Sequence, residues 1–123
     1  LIVIADYYKD ISKGLLKSAK SRLKNSFSIK IIKVPGVFEI PVTISKNINK
    51  HDAFIALGCV IKGQTPHFDF ISYASTNAIM QLAVNSKKPV GNGILTCLNM
   101  KQAKARMKKG AEASNAVISV INQ

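Results

Sequence analysis

Short, nearly continuous apolar runs alternate with stretches of helical periodicity along this chain, and that alternation limits its fold more than any other feature. The run LIVIA at residues 1–5 is apolar at every position, as expected for a parallel strand covered on both faces. Pro35 with Gly36 marks a turn after a second strand. We expect four strands, at 1–5, 26–34, 53–61 and 90–96.

The segments between the strands carry helical spacing. Ile11, Leu15, Ala19 and Leu23 recur every four residues, with lysines between them. We expect helices at about 10–25, 38–49, 66–86, 100–107 and 111–121. Strands that alternate with helices predict a three-layer α/β/α sandwich with a four-stranded parallel sheet, as one domain over residues 1–123.

Composition excludes several classes of protein. Of 123 residues 47% are hydrophobic and 20% are charged, which does not suit a disordered chain. No apolar run reaches the length of a membrane span, and no secretory signal pattern is visible. Cys59 and Cys97 are too few for a disulfide scaffold. We therefore expect a cytoplasmic protein without a membrane partner.

The chain is strongly basic, with 18 Lys and Arg against 6 Asp and Glu, a formal charge of +12. Such a balance raises the possibility of nucleic-acid binding. However, only Arg22 and Arg106 are arginines, and the lysines are spread along the chain. We favour a solvated basic surface and expect no nucleic-acid partner; attraction of a small anionic substrate is compatible with this interpretation.

Parallel sheets bind ligands beyond the carboxyl ends of their strands, and the segment after the third strand is the most informative there. In KGQTPH, at residues 62–67, Thr65 suits a helix N-cap and Pro66 a first helical position. Free amides at a helix start, with Gly63 allowing close approach, favour an anion site. An imidazole at His67 could then move protons. The alternative is a histidine that only begins a helix.

Three other residues at this edge have both a structural and a functional interpretation. The carboxylate of Glu39 either stabilises the start of a helix through its charge or accepts hydrogen bonds from substrate hydroxyl groups. Tyr7 either packs or stacks on a flat ligand. Cys59 lies inside an apolar strand, where a thiol is usually inert, so we do not favour a cysteine nucleophile. The two histidines and two cysteines show no metal-ligand spacing.

Three motifs carry a resemblance to a known family. VPGVFEIP at 34–41, ALGCVIKGQTPHFD at 56–69 and PVGNGILT at 89–96 closely resemble lumazine synthases, most of all α-proteobacterial members. The resemblance implies a flavodoxin-like fold. It also implies a transferase that condenses 5-amino-6-(D-ribitylamino)uracil with 3,4-dihydroxy-2-butanone 4-phosphate in riboflavin biosynthesis, without a cofactor or metal. Family members form pentamers, or multiples of them, with active sites between subunits.

The resemblance also implies roles for individual residues. His67 falls on the family's proton-transfer residue, and Gln64, Thr65 and Arg106 on its phosphate-binding residues, with Lys109 as a possible addition. The expected contacts to the ribitylaminouracil are Tyr7, Val37, Phe38, Glu39, Cys59, Val60, Ile61 and Asn92.

This sequence departs from the family pattern at three places. Asp6 stands where an arginine is common, Asn92 stands where many members place a bulky apolar residue from a neighbouring subunit, and the segment 106–110 is several residues shorter than the family's loop. The alternative function is a homologue that binds ribityl-pyrimidines or flavins, or forms shells, without catalysis.

Overall fold

The computed structural model describes residues 1–123, and a four-stranded sheet forms its centre. The strands are β1 (Ile2–Ala5), β2 (Ile31–Val34), β3 (Phe54–Ile61) and β4 (Val90–Cys97). All pairings are parallel, and the strand order is β2-β1-β3-β4.

Helices cover both faces of this sheet, so the expected three-layer α/β/α sandwich with a four-stranded parallel sheet, consistent with a flavodoxin-like fold, is confirmed. The helices are α1 (Lys9–Lys20), α2 (Ile40–Lys46), α3 (His67–Ser86), α4 (Met100–Ala105) and α5 (Lys109–Ile121). One apolar cluster joins the sheet to α1, α4 and α5, and the other joins it to α2 and α3. A 3-10 helix, Val37–Glu39, directly precedes α2.

The central strand β3 shows why its sequence is apolar throughout. Ile55, Leu57 and Cys59 belong to the first cluster, whereas Phe54 and Ala56 belong to the second. Residues 54–60 are all buried. Both faces of the strand are therefore covered, as the unbroken apolar run predicts.

The second strand is shorter than expected, because it begins at Ile31 rather than at residue 26. Its partner β1 has only four residues, and Ile2 pairs with Ile31 at the start of the register. The amide of Ile2 donates to the carbonyl of Lys30 at 2.8 Å, and residues 28–30 before β2 have no strand conformation. Ile29 therefore lies outside the sheet, 39% exposed.

Four helices also differ from their expected bounds. α4 ends at Ala105 rather than at residue 107, and α5 begins at Lys109 rather than at residue 111. α1 ends at Lys20, because the hydroxyl of Ser21 donates to the carbonyl of Ser18 at 2.6 Å and the chain leaves the helix in i to i−3 turns. The helix expected at 38–49 is divided into the 3-10 helix and α2, with Pro41 in the first turn of α2. No helix has the length and apolar character needed to cross a membrane.

Helices α1 and α5 approach each other closely at Gly110. A Cβ at this position would lie 2.2 Å from the carbonyl oxygen of Leu15. Just after the contact, the amide of Ala111 donates to Ser18 Oγ and the hydroxyl of Ser114 donates to the carbonyl of Ala19, each at 2.8 Å. These bonds hold the helices at a separation that only glycine permits.

Replacing Gly110 by alanine should therefore destabilise the protein. We expect Gly110→Ala to lower the free energy of unfolding by about 1–3 kcal/mol, because backbone rather than a flexible side chain must move. Urea denaturation measures this change. The matched control is Gly63→Ala, where a Cβ meets nothing within 4 Å and the effect should be neutral or slightly stabilising. Equal effects of the two substitutions would contradict this interpretation.

Candidate functional site

A cleft of about 680 Å³ opens at the carboxyl edge of the sheet, where ligands bind to parallel sheets. The segments after β1 and β2 form two of its walls, and the end of β3 with the start of α3 forms the rest. Its lining residues are Tyr7, Tyr8, Pro35, Gly36, Val37, Phe38, Glu39, Cys59, Val60, Ile61, His67 and Ile71.

The cleft unites most of the residues selected from the sequence. Eight of them line it: Tyr7, Val37, Phe38, Glu39, Cys59, Val60, Ile61 and His67. Gln64 and Thr65 lie in the exposed loop immediately before His67. Tyr8 and Ile71 line the cleft but were not singled out, because Tyr8 resembles a packing residue beside Tyr7 and Ile71 an ordinary apolar residue of α3.

The 3-10 helix reaches the cleft because Gly58 lets it lie directly on β3. A Cβ on Gly58 would come within 2.9 Å of Val37 Cγ2 and 3.2 Å of Ala5 Cβ. Phe38 then projects outward, 70% exposed, while Val37 is buried beneath it. The sequence signal for this arrangement is a glycine inside an otherwise large and apolar strand.

Glu39 ends the 3-10 helix with its carboxylate turned back over Gly36. Its Oε2 lies 3.7 Å from where a Gly36 Cβ would stand, and the Glu39 amide donates to the Gly36 carbonyl at 3.2 Å. The carboxylate accepts no hydrogen bond from the rest of the chain, so both oxygens are available to ligand hydroxyl groups.

His67 is the first residue of α3, and the loop before it carries free backbone donors. Its own amide donates to Thr65 Oγ1 at 3.4 Å. The amides of Gly63, Gln64 and Thr65 donate no hydrogen bond within the chain. Pro66, not Thr65, occupies the N-cap position, with φ −72° and ψ 5°. The helix amino end and these amides together make an anion-binding arrangement next to the imidazole.

Tyr7 and Tyr8 follow β1 and form one aromatic pair. Their ring centroids are 4.9 Å apart and the planes meet at 82°, an edge-to-face contact. Tyr7 is 72% exposed and Tyr8 is half-buried. Burial, and then the neighbouring Cys59 and Tyr7, raise the pKa of the Tyr8 phenol above its usual value, so this hydroxyl stays protonated at neutral pH.

Besides Gln64 and Thr65 in the adjoining loop, three more residues expected at the site lie outside the cleft of this chain. Arg106 is exposed at the end of α4, and Lys109 pairs with Glu112 at 3.4 Å. Asn92 lies on the edge strand β4 opposite Ala56, toward the other end of the sheet, where its Oδ1 accepts the Ile94 amide at 3.1 Å. The cleft walls therefore contain neither a lysine nor an arginine.

No group of three or more His, Cys, Asp or Glu side chains lies together in a way that could hold a metal ion. His51, the second histidine, lies just before β3 at the amino edge of the sheet, where it lines a separate cavity of about 290 Å³.

Cys59 is not a reactive nucleophile. Burial, and then the neighbouring Cys97, raise the pKa of its thiol to about 12. The two cysteines belong to the same apolar cluster, on adjacent strands. The thiol therefore remains protonated at neutral pH and contributes apolar surface to the floor of the cleft.

This arrangement predicts slow alkylation of Cys59. In the wild-type protein, iodoacetamide should modify Cys59 of the folded chain far more slowly than the same residue in urea, and peptide mapping distinguishes it from Cys97. At pH 9, a pKa of about 12 leaves about one thiol in a thousand ionised. Mass spectrometry of quenched time points measures the two rates. Equal rates in the folded and unfolded protein would contradict a buried, protonated thiol.

Comparison with known proteins shows sequence similarity to one family. The family model described as 6,7-dimethyl-8-ribityllumazine synthase matches residues 1–123. Curated proteins of that name are similar over nearly the whole chain. That of Agrobacterium fabrum is 41% identical and covers 98% of this chain and 90% of its own length. That of Bartonella tribocorum is 43% identical and covers 98% of this chain and 86% of its own length. That of Corynebacterium kroppenstedtii is 40% identical and covers 95% of this chain and 79% of its own length.

Proposed function

The chain belongs to the 6,7-dimethyl-8-ribityllumazine synthase family, and we propose that its carboxyl-edge cleft is the catalytic site. The protein is accordingly a transferase of riboflavin biosynthesis, which condenses 5-amino-6-(D-ribitylamino)uracil with 3,4-dihydroxy-2-butanone 4-phosphate. The products are 6,7-dimethyl-8-ribityllumazine, phosphate and water. A cytoplasmic location and a single-domain organisation stay predictions from the sequence.

One observation carries this proposal: the cleft holds an exposed aromatic ring, an unpaired carboxylate and an imidazole at the start of a helix. The reaction needs a held pyrimidine, a held polyol chain and a proton carrier beside a phosphate. Tyr7, Glu39 and His67 provide these three functions within one cavity of about 680 Å³.

The pyrimidine substrate occupies the apolar side of the cleft. The Tyr7 ring stacks on the pyrimidine, whose edge lies against Cys59, Val60 and Ile61 at the end of β3. The ribityl chain extends toward the 3-10 helix, where Val37 and Phe38 offer backbone groups and the Glu39 carboxylate accepts hydroxyl donors.

The phosphate of the second substrate binds at the amino end of α3. The free amides of Gln64 and Thr65 donate to its oxygens, and the positive end of the helix favours its charge. There His67 carries protons in three successive steps. The pyrimidine amine forms an imine with the ketone and releases water, the phosphate is eliminated, and the ribitylamino nitrogen then closes the ring with loss of a second water.

The pieces missing from the cleft come from a second copy of the chain. A bound phosphate needs a nearby cation, yet the cleft walls hold none, while Arg106 is exposed elsewhere on the same chain. We propose the pentamer of the family, or a multiple of it. In that assembly Arg106, with Lys109 as a possible addition, reaches the neighbour's phosphate, and Asn92 reaches the neighbour's pyrimidine.

The long helix α3 supports this assembly. An exposed stripe runs along it with alternating spacings of three and four residues, the pattern with which helices pack against each other. Its members are Phe70, Tyr73, Asn77, Met80 and Val84. A stripe with four large apolar side chains suits contact with other copies better than contact with water.

The alternative, a homologue that binds ligands or forms shells without catalysis, is not favoured by the family match. Mixing the two substrates with the purified protein tests both functions. A synthase produces the fluorescent lumazine at a rate proportional to protein concentration. Tight binding of the ribitylaminouracil without any fluorescent product would instead support the alternative.

Removing the imidazole should slow turnover without abolishing it. We expect His67→Ala to lower kcat by about ten- to a thousandfold, because proton transfer supplies only part of the acceleration. Steady-state fluorescence measures this loss. The matched control is His51→Ala, at the opposite edge of the sheet, which should retain the wild-type rate. An unchanged kcat in His67→Ala would remove this residue from its proposed role.

Shared active sites should allow two variants of low activity to restore one another when they assemble together. His67→Ala keeps the arginine, and Arg106→Ala keeps the imidazole. After co-refolding at equal amounts, random assembly of a cyclic oligomer places an intact cleft next to an intact arginine at about a quarter of the interfaces.

The co-refolded mixture should thus regain about a quarter of the wild-type activity. Each variant refolded alone serves as the control and keeps only its own reduced activity, and light scattering checks the mass against five times 13.3 kDa. A mixture no more active than the average of its two components would show that both residues act within one chain.

A further inference from the structure

Tyr7 stands at the cleft as an exposed ring with little support from the protein. It is 72% exposed, follows the last residue of β1 by two positions, and makes no side-chain hydrogen bond within the chain. Its aromatic neighbour is Tyr8, in edge-to-face contact at 4.9 Å. A side chain this exposed loses rotamer freedom when it stacks on a ligand, and that loss weakens binding.

Tyr8, by contrast, is held firmly on both its backbone and its ring. It is the N-cap residue of α1, and its carbonyl accepts the amide of Ser12 at 2.9 Å. The Ser12 hydroxyl donates to the carbonyl of Ala5, also at 2.9 Å, which ties the first turn of α1 to the end of β1. The Tyr8 ring packs against the apolar cluster that contains Cys59.

We infer that Tyr8 is a positioning residue: its ring, in edge-to-face contact with Tyr7, fixes the Tyr7 ring in the orientation that stacks on the pyrimidine. This inference rests on the proposed role of Tyr7 in binding that substrate. Tyr8 acts through the geometry of the ring pair, because the positive edge of one ring attracts the negative face of the other at the observed angle of 82°.

Two consequences distinguish this role from simple packing. First, the effect of Tyr8 on pyrimidine affinity comes from its aromatic ring and not from its hydroxyl. Phenylalanine at this position should therefore preserve that affinity, and leucine should not. Second, the effect belongs to the pyrimidine alone, because the phosphate loop at residues 62–66 begins at the end of another strand, β3. A general loss of packing would instead change both substrates and the stability together.

The expected change in KM follows from the strength of the contact between the two rings. An edge-to-face contact changes an equilibrium constant by about two- to tenfold. Tyr8→Leu should therefore raise KM for the ribitylaminouracil by about two- to tenfold, with kcat and KM for the butanone phosphate unchanged. Tyr8→Phe should stay within about twofold of the wild type in all three parameters.

A double-mutant cycle with Tyr7 provides the sharpest test. The wild type, Tyr7→Ala, Tyr8→Leu and the double variant are compared by steady-state kinetics and by quenching of lumazine fluorescence on binding. If Tyr8 acts only through Tyr7, then Tyr8→Leu has no further effect on pyrimidine affinity in the Tyr7→Ala background. A matched control, Phe27→Leu at the opposite edge of the sheet, should change none of these values.

The outcomes separate this inference from the proposed function. An equal loss in both backgrounds would overturn the inference, as would an unaffected Tyr8→Leu variant or a Tyr8→Phe variant as impaired as Tyr8→Leu. In each of these cases, turnover by the wild type leaves the synthase function intact. Thermal unfolding checks that each variant is folded, and Tyr8→Met provides a second flexible, non-aromatic replacement should the leucine variant fail to fold.

Discussion

The parallel pairing of β1 with both β2 and β3 is the constraint on which the rest of the structure depends. It aligns Ala5 with Val34 and Ile4 with Leu57, so all three strands deliver their following segments to one edge. The tyrosine pair, the 3-10 helix and the start of α3 meet there although they are far apart in sequence. The close contact at Gly58 then sets the depth of the cleft, because a larger residue would push the 3-10 helix away from β3.

Most of the fold could be predicted from the sequence, because burial on two faces leaves a clear pattern. Strands β3 and β4 begin and end within one residue of their expected limits, since both are long and enclosed by helices. The second strand was overestimated. Its alternating pattern continues back to residue 26, but the chain turns there, where the Phe27 amide donates to the Lys24 carbonyl, and only residues 31–34 pair with β1.

The site residues that lie in the cleft of a single chain could be predicted from the sequence. Eight expected residues line the cleft because strand ends and helix starts define the edge where ligands bind. Tyr8 was missed because a tyrosine beside another gives no signal of which ring is held and which is free; that difference arises from packing against Cys59. Arg106 and Asn92 lie away from the cleft, and motif similarity alone does not say whether a residue acts in its own subunit.

The division of the site gives each part of the chain a separate physical task. In the proposed mechanism, the apolar end of β3 and the tyrosine pair hold a flat ring, Glu39 accepts hydrogen bonds from hydroxyl groups, and the amides before α3 donate to an anion. These tasks need no group with an unusual charge state: the Cys59 thiol, with its pKa raised to about 12, contributes only apolar surface. Reactivity depends instead on bringing one imidazole close to one phosphate.

A crystal structure with phosphate and a non-reactive ribityl-pyrimidine bound would test that claim most directly. The account predicts phosphate oxygens on the amides of Gln64 and Thr65, with a ring nitrogen of His67 in the space between the phosphate and the pyrimidine. A phosphate held elsewhere, or an imidazole more than about 10 Å from it and therefore unable to transfer a proton directly, would contradict the account.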